Sequence, residues 1–153
     1  MGAQMLDMPR CKAVIHFWDK DVREIFKSYA AADMNVEAQG AALDSVNLTE
    51  LLYMLKEGHF MDDNLSVSRV SQIFSLVNSS SEEEEGGDED EAELVYEEFI
   101  SVIVRCCDAK IPEAQRDGAP FEEVLQRWLQ LSFVPTYRQL MKDKARGLIK
   151  KTL

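Results

Sequence analysis

The spacing of apolar residues along the chain predicts helices from one end to the other. Between residues 10 and 30, Ile15, Trp18, Val22, Ile25, Phe26 and Tyr29 recur every three or four positions, the period of a helix with one buried face. Leu48, Leu51, Leu52 and Leu55 predict a second helix over 48–59, with Gly58 near its end. Val70, Ile73, Phe74 and Val77 predict a third over 67–77, which Ser66 or Ser68 could cap. Tyr96, Phe99, Ile100, Ile103 and Cys107 predict a fourth over 96–109. Pro112, Gly118 and Pro120 mark a linker over 110–120. Phe121, Val124, Leu125, Trp128 and Leu129 then predict a fifth helix, and Pro120 suits its first turn, where no amide hydrogen is needed. Pro135 should end or kink it, and a sixth helix is expected over 136–151. The expected class is all-α.

The apolar content of 46% over 153 residues is enough for a real core without a disulfide or metal staple. Cys11, Cys106 and Cys107 form no CxxC pair, and His16 and His59 complete no zinc spacing, so buried free thiols are expected. The net charge of −11 is local: residues 79–93 hold nine acids and no base, and the rest of the chain has 19 acids against 17 bases. A run of this kind is ordinarily solvated and self-repelling. The nearly neutral remainder does not read as a nucleic-acid binder. No apolar run approaches the roughly 20 residues of a membrane span, and the N-terminus has no signal-peptide core. A cytoplasmic location, with the cytoskeleton or a cilium as candidates, is the default expectation.

The two inter-helix segments repeat one another. Val46-Asn47-Leu48-Thr49-Glu50-Leu51 aligns with Leu94-Val95-Tyr96-Glu97-Glu98-Phe99. Each has an aliphatic residue, three positions, a glutamate and a large apolar residue, and Ile25-Phe26 and Ile73-Phe74 precede the two segments. This resembles a pair of EF-hands, over roughly residues 13–109. The resemblance implies that Val46 and Leu94 pair as a short antiparallel ribbon and that Glu50 and Glu98 hold the last loop position, which clamps Ca²⁺ in a working hand. The remaining ligands are missing. Counting back from Glu50 puts Gln39, Ala41 and Leu43 where oxygen donors belong. Asn78 to Glu98 spans 21 residues, too long for the usual twelve-residue cage. The organisation expected is a degenerate EF-hand pair over 10–109 with an acidic insertion at 79–93, the linker at 110–120, and a helical extension over 121–151.

Three function classes compete. A degenerate pair keeps its scaffold without calcium switching, which implies a non-enzymatic module docking a protein partner. Degenerate pairs with inserted loops and added helices resemble those of cytoskeletal and ciliary assemblies, so a cytoskeletal or axonemal complex is the partner implied. The alternative is a calcium sensor or buffer in which Asp88, Glu89, Asp90 and Glu91 act with Glu98, although clustered surface carboxylates bind weakly without a fixed geometry. An enzyme is disfavoured, because no nucleophile, metalloprotease or nucleotide-binding motif occurs, and no cofactor is expected. The sixth helix stands apart: Arg138, Lys142, Lys144, Arg146, Lys150 and Lys151 face only Asp143 in charge. These six are the candidate partner-binding residues, directed at an acidic protein surface such as the acidic tails of tubulin. Pairing within the chain with the acidic loop of 79–93 is the competing explanation.

Overall fold

The computed structural model describes residues 9–30, 45–81 and 92–147. Gln39, Ala41 and Leu43, the acids of 82–91, and Lys150 and Lys151 lie outside them. Among the described residues the fold is all-α, with seven helical segments: α1 (Pro9–Phe17), α2 (Asp19–Ala30), α3 (Leu48–Glu57), α4 (Val67–Ser81), α5 (Tyr96–Lys110), α6 (Phe121–Trp128) and α7 (Val134–Ala145). A 3-10 turn covers Glu113–Gln115, and a π-helical turn covers Leu129–Phe133.

The first predicted helix is divided at Trp18. The amphipathic stripe begins in earnest only after it, where Val22, Ile25, Phe26, Tyr29 and Ala30 are buried. α1 buries Cys11 alone and lies against α6, while α2 meets α3, α5 and α7. One straight helix would not serve both sets of neighbours. The Trp18 indole donates to the Gln126 amide oxygen at 3.1 Å, fixing the joint against α6.

α5 is the central helix. Ser101, Val102, Ile103, Val104, Cys106 and Cys107 are all buried, on nearly every side of the helix, as a core helix requires. The three cysteines are buried free thiols, and burial pushes the Cys106 thiol up to about 12. Arg116 closes the end of α5: its guanidinium donates to the carbonyls of Ile111 and Asp108 and to the Asp108 carboxylate. Helix ends leave carbonyls without partners, so this side chain also fixes the linker.

α6 and α7 are nearly one helix. Pro135 has no amide to donate, and in a regular helix its ring would press on the carbonyl four residues earlier. The Val134 amide instead reaches the Leu129 carbonyl, five residues back. This wider turn accommodates the proline at the second position of α7, so the chain bends without stopping. α7 ends at Ala145, with Gly147 at φ +80, earlier than the expected end at 151.

Val124, Leu125, Trp128, Leu129, Phe133, Val134 and Tyr137 share one continuous core with α2–α5. Phe60, Trp128, Phe133 and Tyr137 form a ring cluster with centroids 5.0–5.8 Å apart. Tyr137 is fully buried, and its hydroxyl donates to the Met54 carbonyl at 2.6 Å. Tyr137 of α7 thereby packs against the end of α3.

Candidate functional site

Three places carry chemistry. The first is the meeting of the two loops. Val46 and Leu94 form an isolated antiparallel bridge, with the Val46 amide 3.0 Å from the Leu94 carbonyl and the Leu94 amide 2.8 Å from the Val46 carbonyl. These are the two aliphatic positions aligned from the sequence. The next positions also correspond. Glu50 Oε1 accepts from the Asn47 amide at 2.9 Å, and Glu98 Oε1 accepts from the Val95 amide at 3.0 Å. In α3 the arrangement is reciprocal, because Asn47 Oδ1 accepts from the Glu50 amide at 2.8 Å and completes a capping box. Valine has no side-chain acceptor, so α5 has only the glutamate half. Both glutamates thus spend an oxygen on starting a helix, and Glu50 is buried. Among the described residues no group of three or more His, Cys, Asp or Glu side chains is placed to hold a metal ion.

The second place is the basic helix, whose candidate residues divide three ways. Arg138 donates to Asp21 at 2.6 Å, joining α7 to the start of α2. Lys144 donates to Glu57 at 2.8 Å, and both side chains are mostly buried. Lys142 and Arg146 are exposed, and Lys150 and Lys151 are beyond the described residues. Lys144 is therefore an internal tie, Arg138 is tied to Asp21 yet remains exposed, and Lys142 and Arg146, near and just past the end of α7, are exposed.

The Glu57 tie is built from remote pieces. Glu57 ends α3, where it accepts from Tyr29 of α2 and Tyr53 of α3 as well as from Lys144. The Lys144 ammonium lies 5.1 Å from the Tyr29 ring centroid and 5.8 Å from that of Tyr53, close enough for cation–π attraction. Burial raises the Glu57 carboxyl, but hydrogen bonds from Lys144, Tyr29 and Tyr53, with the ammonium charge, outweigh it and hold the group below its ordinary 4.5. Burial and the bond to Glu57 push the Tyr29 hydroxyl upward, so it stays protonated and donating.

The third place was not singled out from the sequence. A groove of about 240 Å³ lies between α4 and α5, lined by Arg69, Gln72, Ile73, Leu76, Arg105, Asp108 and Ala109. Arg69, Gln72 and Leu76 lie on the outward face of α4, and Leu76 is 53% exposed. Among the described residues Arg105 donates to the Ser101 hydroxyl, at 3.3 Å. Among the described residues neither Arg69 nor Arg105 forms an ion pair, whereas the groove's carboxylate, Asp108, is bound by Arg116 at 2.7 Å. The sequence did hold a signal: Arg69, Gln72 and Leu76 form a second stripe on α4, opposite the core stripe of Val70, Ile73, Phe74 and Val77.

Searches of family models, characterised proteins and solved structures returned no match to this chain. Among the described residues no helix is long and apolar enough to cross a membrane.

Proposed function

We propose that this protein is a non-enzymatic, calcium-independent scaffold of EF-hand-like construction that docks a protein partner, in a cytoskeletal or ciliary assembly. The observation that carries the reading is the loop meeting. Val46 and Leu94 pair as a ribbon, while Glu50 and Glu98 turn back onto the backbone that precedes their helices. The bridge supports the reading because it joins the two positions that would pair between two hands, and the glutamates at the clamp positions serve as caps. The first loop also supplies Gln39, Ala41 and Leu43 where a cage needs oxygens.

A second feature supports a constitutive scaffold over a switch. At α3, Tyr137 packs against Met54 and Gly58, and Trp128 and Phe133 pack against Phe60 just after it, so part of the apolar surface there is covered by the same chain. Partner contacts then fall to outward surfaces, among them Lys142 of α7 and Arg146 just past its end. Calorimetric titration of the intact chain with CaCl₂ tests the reading: no saturable heat is expected. A micromolar site with an accompanying change in amide spectra would replace the scaffold with a calcium sensor built on the acidic tract.

A further inference from the structure

We infer that the groove between α4 and α5 is a docking site for an acidic, partly apolar peptide segment of a protein partner. The walls set the chemistry. Arg69 and Arg105 bring two guanidinium groups to the groove, and neither is in an ion pair among the described residues. Asp108 is occupied by Arg116, so the net field of the groove is positive. Guanidinium groups match carboxylates in a planar, bidentate way, which makes arginine suited to recognising an acidic side chain. The apolar lining supplies the other half: Leu76 is half exposed at the rim, with Ile73 and Ala109 beside it. A ligand with carboxylates flanking one aliphatic residue satisfies both parts. The position is set by the core, because Ile73 and Phe74 on α4 and Val104 and Cys106 on α5 are buried.

The chain's own acidic tract is a poor occupant. It leaves α4 at Ser81 and returns at Leu94, whereas Arg69 and Arg105, the two bases of the groove, lie toward the other ends of the two helices. Ser81 lies twelve residues from Arg69, about 18 Å along a helix. The 13 links between Ser81 and Leu94 span at most about 45 Å when fully extended. Going out and back to Arg69 would consume most of that length, and the tip that arrived would be Gly86-Gly87, which carries no charge.

The inference rests on the scaffold reading, yet the two fail separately. The scaffold reading fails by a calcium response, and this one fails by indifference to the two arginines. The probe is a fluorescein-labelled, end-capped synthetic peptide with glutamates on both sides of one leucine, titrated into the intact chain and followed by anisotropy and amide spectra. Saturable binding is expected, with shifts at Gln72, Leu76 and Ala109 and weakening as salt rises. The double variant Arg69→Gln and Arg105→Gln should bind about ten-fold more weakly, or worse, with its melting temperature unchanged. The charge reversal Arg69→Glu and Arg105→Glu should abolish binding, and the glutamine variant keeps the test valid if the reversal unfolds the chain. Equal binding by the glutamine variant, shifts centred on Lys142 and Arg146, or no binding by the intact chain would each overturn the proposal. Binding that appears only after the acids of 82–91 are changed to serine would also overturn it, by making the tract the occupant.

Discussion

Gly58 shows how much one missing methyl group can decide. Its φ of −83° is ordinary for any residue, so backbone freedom is not its purpose. A Cβ there would stand 2.5 Å from the Tyr137 hydroxyl oxygen and 2.9 Å from Phe60 Cδ2. The left-handed position that ends α3 falls one residue later, on His59 at φ +63, where the His59 amide reaches Lys56 and the Phe60 amide reaches Leu55. That bond pattern usually places glycine where His59 stands. Packing has claimed the glycine, and the histidine bears the backbone strain. Gly58→Ala should therefore destabilise by about 1–3 kcal/mol in urea unfolding, although alanine is the better helix former. Tyr137→Phe in the same chain should recover part of that loss. His59→Gly should be neutral or stabilising, by up to about 1 kcal/mol. Phe99 is fully buried beside the Phe26 ring, 5.0 Å away between centroids, and Phe99→Ala should cost about 3–5 kcal/mol.

Among the elements, α7 changes its meaning most between sequence and structure. A count of charges along the helix finds six bases and invites an acidic partner. It does not reveal that Asp21 and Glu57, more than 80 residues away, already hold two of them. Periodicity is local, and such pairings depend on tertiary placement. The same limit hid the division at Trp18, where the period is kept while the neighbours change, and the π-helical turn that lets Pro135 bend the chain without breaking it. The paired loops, by contrast, were legible, because Val46 and Leu94 stand at equivalent places in a repeat. Lys144→Met should lower stability by about 1.5–3 kcal/mol, the range for a hydrogen bond to a charged group. Its pH dependence has a definite sign. Glu57 is held below its ordinary 4.5 in the folded chain, so its contribution is present above that value and is lost as pH falls through the lowered one. The stability difference between the intact chain and Lys144→Met should then be largest near neutrality and narrow in acid, measured by urea unfolding at both pH values.

The described residues form a helical body whose two loops meet at the Val46–Leu94 bridge and whose apolar face is closed by the C-terminal helices. Closing that face ties α6 and α7 into the same core as α2–α5. Truncation after Ala119 should accordingly expose Phe60, Met54 and Leu55, bind a hydrophobic dye and lose the sharp thermal transition. Calcium independence is the central claim, and thermal unfolding with and without CaCl₂ tests it most directly. A ligand present at about 1,000 times its dissociation constant stabilises the folded state by about 4 kcal/mol. For a chain of this size that amounts to a rise of roughly 8–16 °C. The melting temperature in millimolar CaCl₂ should match that in EDTA to within about 1 °C, and a rise of several degrees that EDTA reverses would contradict the account.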